Sequence, residues 1–188
     1  MIETYWADAA SGLAWVDLRV DEAVQHSRIA ALPEATSPAM ARALALLNAP
    51  SGLLLTAKCD RWPMNEAELA ELADVLNTAR AVYGYGSYID VLMAHAMPMA
   101  DFLLHEEWAR TAARHCAALD IKDARVEMVV RPAHREGVWG FGMSVYCYAA
   151  GADQATAEAA WSVALDGVIP VVIQAAEALL PSAAEVSG

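Results

Sequence analysis

The chain has 188 residues, with 24 Asp plus Glu against 12 Lys plus Arg, a formal charge of −12, 57% hydrophobic residues and 19% charged ones. That composition excludes intrinsic disorder, which needs low hydrophobicity, and argues against nucleic-acid binding, which needs a basic stripe to displace counterions. The longest stretch free of Asp, Glu, Lys and Arg, Gly137 to Ala152, falls short of the ~20 apolar residues that span a bilayer.

At this length one domain is expected, over residues 1–182, with a frayed tail at 183–188. Cys59, Cys116 and Cys147 are an odd number and form no CxxC pair, so neither a zinc ribbon nor a disulfide framework is indicated. The first residues carry acids and no basic segment ahead of an apolar run, so no secretory signal is read there and the cytoplasm is the expected compartment. Ten arginines against two lysines, together with abundant alanine, fit the coding bias of a GC-rich bacterium.

Leu13 to Val20 alternates with period two and predicts a first strand, followed by a short helix over 22–32. Ser37-Pro38 has the form of a helix start, with Ser37 as the cap, and the breakers at 48–52 end that helix. Gly52 to Cys59 predicts a buried strand. Asn65 and Glu68 have capping-box spacing ahead of a helix with Leu69, Leu72, Ala73 and Leu76 on one side. Tyr83 to Met93 predicts a strand, and Pro98 opens a long helix to about Leu119 with Phe102, Trp108, Ala112, Cys116 and Leu119 toward the core. Val126–Arg131 and Val138–Tyr148 predict an antiparallel hairpin joined through 132–137. Asp153 caps the last helix, which Pro170 should kink or divide. The fold class read from this order is α+β, possibly α/β: a mixed sheet of about five strands covered by helices.

Several residues invite chemistry. Tyr83-Gly84-Tyr85-Gly86 and Trp139-Gly140-Phe141-Gly142 share an aromatic-Gly-aromatic-Gly opening. Missing side chains at Gly140 and Gly142 predict a trough bounded by Tyr146 and Tyr148, so the candidate ligand-binding residues are Tyr83, Tyr85, Tyr88, Trp139, Gly140, Gly142, Tyr146 and Tyr148. A helix packed over the trough is the plainer alternative. Neither run has the spacing of a dinucleotide or P-loop fingerprint, and no cofactor is expected. Asp101 and His105 stand four apart on one helix face, with Trp108 beyond them. They could share a metal or form an acid–base pair, but a metal wants three ligands, and Glu106 and Glu107 beside them point to a solvated charged face; no metal is expected. HExxH spacing is absent, as is a GxSxG elbow. If the strands ending near Cys59 and His95 run parallel and adjacent, Cys59 as nucleophile and His95 as base share a rim, with Asp60 or Asp90 orienting the imidazole. The segment Arg131 to Glu136 gathers basic residues at the hairpin tip, where an anion or simply solvent would suit it.

Two functions follow. The first is a non-catalytic acidic binding protein for a basic protein partner, of the immunity or chaperone-adaptor type, steered by its charge. The second is a small-molecule enzyme or ligand-binding domain with its pocket on the glycine–aromatic strands, drawing on Cys59, His95 or Asp101/His105. Nucleic acid and membrane are not expected partners. A homodimer fits either function, because six tryptophans are many for one small core.

Overall fold

Alternation of apolar and polar residues builds four long strands, and apolar residues at spacings of three and four build the helices that cover them. The computed structural model describes residues 16–76, 81–135 and 137–180. In chain order the elements are α1 (Glu22–Ala30), a 3-10 turn (Pro33–Thr36), α2 (Pro38–Leu47), β1 (Leu54–Pro63), α3 (Glu66–Leu76), β2 (Tyr83–Met93), α4 (Ala96–Ala100), α5 (Phe102–Cys116), β3 (Ala124–Arg135), β4 (Val138–Gly151) and α6 (Gln154–Leu179). The strands form one sheet in the order β1-β2-β4-β3, and every neighbouring pair is antiparallel.

The fold class is α+β as expected, with four strands in an all-antiparallel sheet rather than about five in a mixed one. The missing strand is the first. Residues 13–15 lie outside the described ones, and Val16 to Val20 runs without strand pairing. Side chains occupy its backbone groups: Gln25 Nε2 donates to Leu18 O at 2.9 Å, Arg28 Nη1 donates to Asp17 O, and Asp17 Oδ1 accepts from Arg19 N at 2.8 Å. A backbone satisfied in this way has little left to offer a ladder. The tail expected at 183–188 also lies outside the described residues.

One sheet face is the core. It receives α6, which buries Trp161, Leu165, Val168, Ile169 and Val172, together with Trp108 and Ala112 of α5 and Met40, Leu44 and Leu47 of α2. Full burial of such side chains contributes roughly 1.5–3 kcal/mol each. The two buried tryptophans also satisfy their N–H groups: Trp108 Nε1 donates to Val172 O and Trp161 Nε1 to Ser87 Oγ, both at 2.9 Å. By length and composition α6 is apolar enough to cross a membrane, but here its apolar side lies on the sheet.

Helix ends follow their sequence signals, with two exceptions. Asn65 Oδ1 accepts from the N–H groups of Ala67 and Glu68, and Glu68 Oε2 accepts from Asn65 N, so the expected capping box closes. Asp153 and Thr156 form a second one at α6. Ser37 precedes α2 but makes no side-chain cap bond. The long helix expected from Pro98 is two, because Asp101 leaves the helical backbone (ψ 107°) and caps α5 through Leu104 N. As a result Phe102 is exposed, while Trp108 and Ala112 are buried as expected. Pro170 does not divide α6, which runs as one element from Gln154 to Leu179. The proline removes one N–H, but burial on both sides of it holds the turns together.

Candidate functional site

The opposite face of the sheet is open at its centre. In the register of β2 with β4, Tyr88 stands opposite Tyr146, Gly86 opposite Tyr148 and Asp90 opposite Ser144. In β1, Trp62 stands opposite Gly86 and Lys58 opposite Asp90. Strand alternation therefore puts Trp62, Tyr88, Tyr146 and Tyr148 on one surface. Helix α3 flanks it at one end through Leu69, which contacts Gly84, and α4 lies across the other end through Met99, which contacts Gly140. No described element covers the middle.

The four rings form a connected patch. Centroid distances are 6.4 Å for Trp62–Tyr88 and Trp62–Tyr148, and 6.0 Å for Tyr88–Tyr146 and Tyr146–Tyr148, the last pair stacked at 8°. These distances lie within the range of favourable aromatic pairs. Gly86 makes the patch possible, because a Cβ there would meet the Trp62 indole at 2.5 Å. Arg131 Nη2 donates to Tyr146 Oη at 2.7 Å and pins one rim.

Charges of both signs flank the rings: Asp60, Asp90 and Glu127 with Lys58, Arg125 and Arg131, the last 5.8 Å from the Tyr146 ring. Burial first, then Asp90 and Asp60, push the Tyr88 phenol up to about 12. Tyr148 is raised by burial, Glu127, Tyr146 and Glu68, against an opposing effect of Arg125. Asp90 is itself buried and accepts from Ser144 Oγ at 2.6 Å. Helix α3 adds Glu66, Glu68, Glu71 and Asp74 with no basic residue, at one end of the patch.

The residues singled out from sequence separate into two groups. Tyr88, Tyr146 and Tyr148 share the open face. Tyr85 is on the opposite one, where the Arg61 guanidinium sits 4.2 Å from its ring and 4.5 Å from that of Trp161 while pairing with Glu158 at 3.0 Å. Tyr83 is exposed at the sheet's end, and Trp139 is exposed beside the hairpin turn, 4.2 Å from the His134 ring. The trough expected over Gly140 and Gly142 is filled. A Cβ at Gly140 would lie 2.2 Å from the Met99 carbonyl oxygen, and one at Gly142 would lie 2.5 Å from Leu92. The two glycine runs are on neighbouring strands, at opposite ends of them.

The rim expected for Cys59 and His95 does not form, because β1 and β2 are antiparallel. Cys59 pairs with Ile89, and the stretch from Ile89 to His95 spans about 20 Å of extended chain. Burial, then Glu34, Asp60 and Asp90, push the Cys59 thiol up to about 12, away from the thiolate that nucleophilic attack needs. Asp101 and His105 do meet, but through the main chain: Nδ1 of His105 lies 2.7 Å from the Asp101 carbonyl oxygen, while the Asp101 carboxylate caps the helix. His105 is fully buried between Trp108 and Phe141, and burial lowers its pKa although the Asp101 and Phe141 main chains favour the charged ring. Of the basic hairpin segment, Arg131 binds Tyr146, the His134 ring lies tilted at 36° against Trp139, and Arg135 donates to Ala94 O at 2.8 Å. No group of three or more His, Cys, Asp or Glu placed to hold a metal occurs among the described residues.

Trp62 is the residue that sequence reasoning missed. Its signal was the alternation Lys58, Asp60, Trp62, which continues β1 past Cys59 as far as Pro63. Compared with protein-family models, curated proteins and solved structures, the chain matches none.

Proposed function

We propose that the chain is a non-catalytic binding protein whose open sheet face receives a basic segment of a protein partner. The observation that supports this is the coincidence, on one uncovered surface, of four connected rings with the carboxylates of Asp60, Asp90 and Glu127 beside them and the acids of α3 at one end. A cationic side chain over an aromatic ring gains roughly 0.5–2 kcal/mol, more where water is excluded, and nearby negative charge adds to that attraction. The −12 charge of the whole chain would bring such a partner to the surface.

An arginine-rich synthetic peptide is a sufficient probe, with Trp62 fluorescence and tyrosine ring NMR shifts as readouts. Trp62→Ala and Tyr146→Ala are each expected to weaken binding about tenfold, the loss of roughly 1.4 kcal/mol from one ring contact. Glu106→Gln, on the exposed side of α5, removes one negative charge away from the rings and should leave affinity within about twofold. Wild-type affinity in both ring variants, or a loss in Glu106→Gln as large as theirs, would mean that charge and not the ring patch holds the peptide, and the proposal would fail.

A further inference from the structure

The sheet has two edges, and they are built differently. The β1 edge is blunted: its register shifts between Thr56 and Lys58, Lys58 is exposed, and Pro63 ends it. Each of these discourages another strand from adding there. The β3 edge is regular. It pairs with β4 without a break from Ala124 to Arg135, its stretch from Val126 to Arg131 has no proline, glycine or lysine, and proline comes only at 132. An edge of this kind presents alternate N–H and C=O groups outward along its length.

On the core side the residues beside that edge are apolar, whereas Arg125, Glu127 and Arg131 lie on the other face, Arg125 and Glu127 paired within the strand. A groove of about 340 Å³ runs between α5 and β3, with Cys116, Leu119 and Ile121 facing Val126 and Met128. Toward the other end of the strand, Pro132 is exposed, and Trp139, 56% exposed, lies tilted against the His134 ring.

We propose that β3 is the interface of a homodimer, in which a second copy's β3 adds antiparallel across this edge with Val129 opposite itself. The strand is its own complement in that register. Glu127 falls opposite Arg131 of the second copy, twice by symmetry, and Met128 falls opposite Val130. Moving the axis to Met128 sets Arg125 against Arg131, moving it to Val130 sets Arg125 against Arg135, and moving it to Glu127 or Arg131 sets that residue against its own copy; an axis on Val126 leaves only residues 124–128 overlapping. An axis between two residues would set opposite sheet faces against each other, which the pleat forbids. Like charges directly opposite destabilise a pair of strands and unlike charges support it, so charge selects the Val129 register. The same register brings Pro132 and His134 of one copy opposite Val126 and Ala124 of the other, so each groove meets the proline and imidazole rings of its partner's strand. An isologous contact of this kind closes on itself and leaves neither β3 edge exposed. The interface shares Glu127 and Arg131 with the rim of the open face, and it joins two such faces into one eight-stranded surface.

Light scattering over a concentration series tests it. The wild type should run at twice the chain mass. Val129→Lys sets two ammonium groups on the axis and should weaken the dimer about tenfold or more with an unchanged circular dichroism spectrum, because Val129 is exposed. Val129→Cys should cross-link through its new thiol under mild oxidation, whereas Lys58→Cys on the blunted edge should not. This near-isosteric variant carries the test if Val129→Lys does not fold. A wild type that is monomeric at every concentration overturns the proposal. So does a dimer that ignores Val129→Lys, or one in which Val129→Cys never cross-links.

Discussion

Cys59 and His105 carry reactive side chains in surroundings that suppress their charged forms. At Cys59 burial and three carboxylates act in the same direction, raising the thiol to about 12. Alkylation by iodoacetamide is expected to stay slower than that of a free thiol from pH 7 to pH 9, because the thiolate fraction rises only at higher pH. Rapid labelling at pH 7 would show an activated thiol. At His105 burial acts against the imidazolium. The unfolded chain then binds a proton before the folded one does, so this residue's contribution to stability is present above the ordinary histidine range and is lost as pH falls. Arg61 is the contrasting case: two rings and Glu158 hold a guanidinium that is mostly out of water, which makes it a support for the core face.

Glycine has two roles along the strands. At Gly86 the missing Cβ leaves room for a side chain, the Trp62 ring, and so helps to build the patch. At Gly140 it leaves room for backbone, the Met99 carbonyl of α4, which cannot move aside as a side chain can. Gly140→Ala is therefore expected to destabilise the fold by about 1–3 kcal/mol, read as a lower midpoint in urea, through displacement of α4. A midpoint equal to that of the wild type would show that α4 adapts freely. Helix α6 shows the same dependence on neighbours. Its apolar residues and its proline resemble a membrane segment or a broken helix when read alone, and contact with the sheet makes it one continuous core helix.

At the scale of the molecule, helices cover one sheet face and only the two ends of the other, and charge is distributed unevenly among them. Arg110 pairs with Glu106 and Glu107, and Arg42 with Asp166, so part of the charge on the helices is neutralised locally. Helix α3, beside the patch, has acids alone. Association with a basic peptide is expected to slow about tenfold or more between low and physiological ionic strength, while dissociation changes little. Stopped-flow measurement of the on-rate checks this, and a rate indifferent to salt would remove electrostatic steering from the proposal.

Local signals made much of this fold legible in the primary structure. The capping box at Asn65 and Glu68, the hairpin of β3 and β4, the extent of β2 and the shared face of Tyr146 and Tyr148 all follow from contacts within a few residues or from a period of two. What tertiary structure decided was each choice made by distant chain. Gln25 and Arg28 bind the backbone that Val16 to Val20 would have needed for pairing. Antiparallel order separates Cys59 from His95, and Met99 fills the space over Gly140. Trp62 joins three tyrosines only because β1 lies beside β2. Spacing along a chain specifies which side chains share a face, but which strand lies alongside, and what covers the face, depends on packing between segments far apart in sequence.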